Sequence, residues 1–243
     1  MTRVISIICS RSNSKPDTLS PLLGYLARVP GVDLDDLHVV LDASSIYDGV
    51  TTGLTRSAVK IPLSSNDTVI ICHDDIKVLS NLGDFERYLN ITRRPNVGFI
   101  GVAGCTTLDK DPVWWNSRQK DETRGFVFQG GNDTEMFPNY FGVYGQTIAM
   151  DGCFLATTVG VLQSIGVVQP KYVTSPWDFY DIHLTLTAYL KGFTNFAVPI
   201  IVRHTSRGEM RQGWHISKQE FARHHARNLP AKLPKDKTNG FPS

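Results

Sequence analysis

Three short, largely apolar runs, VISIIC at 4–9, LHVVL at 37–41 and TVIIC at 68–72, recur early in the chain with segments of helical period between them. An apolar run of five or six residues without polar alternation reads as a strand covered on both faces. Strands joined through helices are joined by right-handed crossovers into a largely parallel sheet. Between the first two runs, Leu19, Leu22, Leu23 and Leu26 mark a helix over Thr18 to Val29, and Asp48 to Val59 reads as a second helix. The pattern constrains the fold to an α/β class with helices on both sheet faces, and such sheets take their ligands beyond the carboxyl ends of the strands.

A third helix over Leu82 to Thr92 leads into a strand over Val97 to Val102, after which the alternation stops. Residues 104–146 are rich in Gly, Asn, Asp and aromatics, among them Trp114, Trp115, Phe126, Phe128, Phe137, Tyr140, Phe141 and Tyr144, with no sustained period. A stretch of this length without regular structure is expected to be functional or mobile, and its rings serve either as packing of a second lobe or as a sugar-binding surface. Regular structure resumes at Gln146 to Met150. A helix over Thr158 to Ile165 follows, then a longer one from Trp177 to Lys191 stopped by Gly192, and a strand over Phe196 to Val202 that ends at Arg203 and His204. A helical piece near Lys218 to Arg227 precedes the tail. One domain is expected for 243 residues, and two packed lobes are compatible with that length.

Charge and cysteine usage narrow the function. A formal net charge of +2, with no dense Lys/Arg cluster, gives no electrostatic footprint for nucleic acid. Cys9, Cys72, Cys105 and Cys153 are far apart and show no CxxC spacing, which fits buried free thiols in a reducing compartment. The apolar run at the start of the chain is too short for a signal h-region or a membrane span, so a cytoplasmic location without a membrane anchor is expected. The chain has no GxxxxGK[ST], no GxGxxG and no GxSxG, which removes support for a P-loop, a dinucleotide fold or a hydrolase elbow.

Three clusters carry candidate chemistry. His73, Asp74 and Asp75 fall at the carboxyl end of the third strand. Adjacent carboxylates repel, so holding both ionised is easier beside a cation, and carboxylate with imidazole and phosphate oxygens suits Mn²⁺ or Mg²⁺. Capping of the next turn is the competing role for either acid. In Ser175-Pro176-Trp177-Asp178-Phe179-Tyr180-Asp181, Ser175 is placed to cap a helix with Pro176 at its first position and Asp178 in its first turn. Asp181 is not needed for that start and is either a general base or a solvated surface acid. His204 stands at the end of a strand, where a hydrogen-bonded histidine is the ordinary reading.

Taken in order, VISIICSRSN, LDASSIYDGVTTGL, VIICHDDI, MDGCFLATTVGVL, WDFYDIHLTLTAYLKGF and VPIIVRHTSRG resemble the GT-A glycosyltransferases, specifically family 2-like members, over residues 3–208 outside the aromatic middle. The resemblance implies a mostly parallel, Rossmann-like sheet flanked by helices, with 1–103 as the nucleotide-sugar-binding half, 104–208 as the acceptor and catalytic half, and 209–243 as a tail. It implies a divalent metal held by Asp75 and His204 with His73, which stands where the family's element usually has its first acid. Ser10, Arg11, Asp42 and Asp74 would contact the donor nucleotide, and Asp151, Gly152, Trp114 and Trp115 the acceptor. Asp181 would be the catalytic base, with Asp178 in reserve and His183 replacing the family's last acid. The implied reaction is metal-dependent and inverting. It moves a sugar from a nucleoside-diphosphate sugar, a UDP-sugar in the first instance, to a hydroxyl of a carbohydrate or other acceptor. A nucleotidyltransferase and a non-catalytic nucleotide-sugar or carbohydrate-binding module are the two alternatives.

Overall fold

The computed structural model of the chain describes residues 3–10, 16–40, 45–116, 120–130, 135–171, 175, 177–205 and 210–234. Arg11 and Asp42 therefore lie outside the described residues. In chain order the elements are β1 (Val4–Cys9), α1 (Pro16–Leu26), β2 (Val32–Val40), α2 (Ile46–Lys60), β3 (Thr68–His73), β4 (Ile76–Val78), α3 (Leu82–Leu89) and β5 (Val97–Gly101). They continue with β6 (Ala103–Cys105), β7 (Thr107–Leu108), β8 (Thr123–Gln129), β9 (Phe137–Gly142), β10 (Gly145–Thr147), β11 (Ala149–Met150), β12 (Phe154–Thr158) and α4 (Val159–Ile165). The last are α5 (Tyr180–Leu190), β13 (Thr194–Ala197), β14 (Val202–His204), α6 (Gln212–His224) and β15 (Ala231–Lys232).

Among the described residues the main sheet has seven strands in the order β10-β13-β5-β12-β3-β1-β2. β1 pairs in parallel with β2 and β3, and β5 with β13, as the apolar runs imply. Between these parallel groups β12 runs antiparallel to both β3 and β5. Side chains alternate along the buried strands: Ile5, Ile7, Val69 and Ile71 pack with α2 and α4 on one face, while Val4, Ile8, Ile70 and Cys72 pack with α1 and α3 on the other. Full burial of an aliphatic side chain of this size contributes roughly 1.5–3 kcal/mol, so the pattern fixes both sheet faces at once.

The structure corrects two expectations. Residues 104–146, which carry no sequence period, contain short strands of a second sheet, in the order β11-β6-β8-β14-β4 with β9 paired to β8. The expected strand Phe196 to Val202 is divided between the sheets: β13 lies in the first and β14 in the second, and the chain between them holds Pro199. Short edge-to-edge strands draw their stability from distant partners, which is why local pattern missed them.

Asn195 ties the long helix to the main sheet. Fully buried on β13, its side-chain oxygen accepts the Phe99 N–H at 2.9 Å, and its amide donates to the Thr185 carbonyl of α5 at 2.8 Å. Leaving both groups buried without partners costs more than the bonds themselves contribute. Asn195→Ala is expected to lower stability by about 2–4 kcal/mol in urea unfolding, and an unchanged midpoint would contradict this tie.

Candidate functional site

The carboxyl edge of β3 gathers residues from distant parts of the chain. β3 ends at His73, and after the turn at Asp74 and Asp75 the chain enters β4. β4 pairs antiparallel with β14 so that Ile76 faces His204, and the Thr205 N–H donates to the Asp75 carbonyl at 3.0 Å. This register places His204 Nε2 3.3 Å from Asp75 Oδ1 and 3.2 Å from His73 Nδ1. One ligand atom from each of His73, Asp75 and His204 lies within 4.8 Å of the others, the single such group among the described residues. Two imidazoles and a carboxylate form a donor set that fits a divalent cation, Mn²⁺ better than Mg²⁺ because nitrogen ligands suit the softer ion.

Burial works against charge on His204, but its hydrogen bond to Asp75 and the charges of Asp75, Asp151 and Asp74 outweigh it and raise its pKa above the ordinary value. A raised folded value means that the Asp75–His204 interaction stabilises fully below the ordinary histidine pKa. That contribution is lost as pH rises through the folded value.

Facing this cluster is the turn Asp151-Gly152-Cys153 between β11 and β12. The His73 N–H donates to the Cys153 carbonyl at 3.1 Å, and Asp151 Oδ1 accepts the Cys153 N–H at 2.8 Å. The start of α5 closes over this turn. Asp181 accepts the Gly152 N–H at 2.8 Å and the Ile182 N–H at 2.9 Å. The Tyr180 hydroxyl lies 3.1 Å from the Gly152 carbonyl and 3.2 Å from His73 Nε2. Burial raises the Tyr180 phenol well above its ordinary value, so it stays protonated. Burial first, then the negative charge of Asp151, push Asp181 up to about 7 against the pull of the Ile182 and Gly152 N–H groups.

The entry to α5 differs from the expected cap. The helix begins at Tyr180, its N-cap is Phe179 in the left-handed region at φ 64°, and no side chain caps it. Ser175 Oγ instead donates to Asp178 Oδ2 at 2.5 Å, so Asp178 belongs to the preceding turn and does not share a helix face with Asp181. A non-glycine residue held at positive φ is backbone strain of the kind that collects at functional sites. Phe179 is kept there by packing on Trp214 and Phe221, with ring centroids 5.3 and 5.4 Å apart.

The remaining residues of interest divide by position. Ser10 is fully buried at the end of β1, its N–H donating to the Val40 carbonyl at 2.9 Å, and the Asp74 N–H donates to the Cys9 carbonyl at 3.1 Å. Trp114 is in the core against Phe141, whereas Trp115 is 39% exposed and lies 5.9 Å from Trp214 of α6. His183 is held neutral, its pKa lowered to about 4 by burial and by His225 and His224, and it stands apart from the metal-type cluster. Tyr180 and Trp214 were not singled out from sequence. Tyr180 had one signal, an aromatic beside the acid of a helix start, and Trp214 had none. All four cysteines are free and buried; burial drives their thiols up, Cys9 and Cys105 to about 12, so none is a thiolate nucleophile near neutrality. No helix of the described residues is long and apolar enough to cross a membrane.

Fold and site together define an α/β protein with a GT-A type sheet and a His/Asp cluster at the carboxyl edge of a central strand. Residues 7–229 match the Glycosyltransferase like family, and the chain belongs to it. Among solved structures it is similar to GalNAc-T7, crystallised with UDP, GalNAc and Mn²⁺, at 12% identity and a TM-score of 0.51, over 93% of this chain and 47% of that one. It therefore spans about half the length of that protein. It is also similar to the mannosyltransferase PcManGT from Pyrobaculum calidifontis in complex with GDP-Man and Mn²⁺, at 15% identity and a TM-score of 0.49, over 97% of this chain and 67% of that one. At 12% identity the likeness to GalNAc-T7 is one of fold. No curated protein matches the sequence.

Asp75→Asn removes the main charge that holds the His204 proton. In metal-free protein, histidine NMR titration is expected to show a lower His204 pKa than in the parent, and an unchanged value would contradict the pairing.

Proposed function

We propose that the chain is an inverting, metal-dependent glycosyltransferase that moves a sugar from a nucleoside-diphosphate sugar to an acceptor hydroxyl. The observation that carries this is the convergence of His73, Asp75 and His204 at the carboxyl edge of β3 in a member of the Glycosyltransferase like family. These three residues would hold Mn²⁺, whose charge would offset that of the departing diphosphate. Ser10 and Asp74, at the ends of β1 and β3, are the donor-side contacts within the described residues, and Arg11 and Asp42 are proposed for the same side.

On the acceptor side, Asp151 and Gly152 form the turn that α5 covers, and Trp115 offers an exposed ring for stacking, with Trp114 supporting it from below. Asp181 acts as general base, taking the proton of the acceptor hydroxyl as that oxygen attacks the anomeric carbon. One such displacement inverts the configuration. A base with a pKa near 7 is half ionised at neutral pH and strong enough to accept a proton when ionised. Asp178 is the second candidate, because both Asp181 oxygens already accept backbone N–H bonds, which also gives Asp181 a structural use.

UDP and Mn²⁺, present in the GalNAc-T7 crystals, are the first ligands to test. Calorimetric titration of UDP and GDP is expected to show binding of one nucleotide that requires Mn²⁺ and is lost in Asp75→Ala. Binding that is indifferent to both metal and Asp75, or no binding of either nucleotide, would overturn the donor site.

Because the ionised form is the base, kcat/KM should rise with pH through about 7 and level off above it. Asp181→Asn is expected to lower kcat by at least about 100-fold with donor affinity within a few fold. Transfer at the parental rate would remove Asp181 as base.

A further inference from the structure

We propose that the Tyr180 hydroxyl is a positioning group that fixes the tautomer of His73, so that Nδ1 is the ring nitrogen presented to Asp75 and His204. This rests on the metal site proposed above for its consequence, but not for its geometry. The phenol has one proton and two neighbours, the Gly152 carbonyl at 3.1 Å and His73 Nε2 at 3.2 Å. A carbonyl oxygen accepts only, so the phenol proton goes to Gly152 and the phenol oxygen is left as acceptor for His73. His73 Nε2 must then carry its hydrogen, and Nδ1 of the neutral ring holds the lone pair. That lone pair faces His204 Nε2 at 3.2 Å, on the side where Asp75 stands. The partner on one imidazole nitrogen decides what the other can ligate, and groups in this position raise ligand basicity as well as orient the ring.

The identity of residue 152 gives a second, independent observation. A Cβ built on Gly152 would lie 2.4 Å from the Tyr180 hydroxyl, 2.8 Å from its ring carbon and 2.9 Å from the Asp181 Cβ. Gly152 has no left-handed φ to explain the missing side chain. Glycine is required there because Tyr180 and Asp181 press against the turn, one to reach His73 and the other to accept the Gly152 N–H. The same contact therefore couples the proposed base to the proposed metal ligand through adjacent residues of α5.

The test separates tautomer from metal. Nitrogen-detected histidine NMR on the metal-free full chain, at mildly alkaline pH where an ordinary imidazole is neutral, is expected to show His73 protonated at Nε2. Tyr180→Phe should shift that ring toward a tautomer mixture. Mn²⁺ affinity, measured by calorimetry without nucleotide, should weaken by roughly 10- to 100-fold in Tyr180→Phe. Gly152→Ala, which displaces the hydroxyl without removing it, should reproduce both changes. His73 protonated at Nδ1 in the parent, or Tyr180→Phe with an unaltered tautomer and unaltered Mn²⁺ affinity, would overturn the proposal. A parent chain that shows the Nε2–H tautomer but binds no Mn²⁺ would instead overturn the metal reading.

Discussion

The antiparallel pairing of β4 with β14 is the contact on which the proposed chemistry depends. Without the Ile76–His204 register, His204 has no reason to stand beside Asp75, because 128 positions separate them in sequence. The pairing is short, three residues on each strand, and is held by what surrounds it. β14 is also hydrogen-bonded to β8, and β4 continues directly from the turn that closes β3. The second sheet is thus a clamp that carries a late histidine to the edge of the first.

Burial and neighbouring carboxylates together set the electrostatics of both halves of the site, and a different one prevails in each. Around His204 the carboxylates prevail over desolvation and favour a proton in the place a cation would take. Around Asp181 desolvation and Asp151 prevail over two backbone donors and favour the neutral acid. Asp181, at about 7, therefore sits between its two charge states near neutrality, the kind of perturbed acid that collects at functional sites. The left-handed Phe179 at the head of α5 adds backbone strain beside the same groups, kept in place by aromatic packing from α6.

Much of this was legible in the residues, and the failures have identifiable causes. The parallel strands announced themselves as β-branched runs, and the position of His73 and Asp75 after one of them marked two members of the cluster that His204 completes. The antiparallel insertion of β12 was not legible, because ATT after FL in a strand looks the same in either direction. The start of α5 was misread because Ser175, Pro176 and Asp178 satisfy local capping preference, whereas the observed start is stabilised by the contacts of Phe179 with Trp214 and Phe221, which lie in a later helix. The contacts of Tyr180 are not legible in sequence, because its hydroxyl meets His73 and Gly152, which sequence does not bring near it.

The most direct test is a crystal structure of the full chain grown with Mn²⁺ and UDP, with the metal located by its anomalous scattering. The account predicts one manganese bound by Asp75 Oδ, His204 Nε2 and His73 Nδ1, in contact with the diphosphate. UDP seated at the carboxyl edge of β1 and β3 with no metal among these three residues, or manganese held elsewhere, would contradict it.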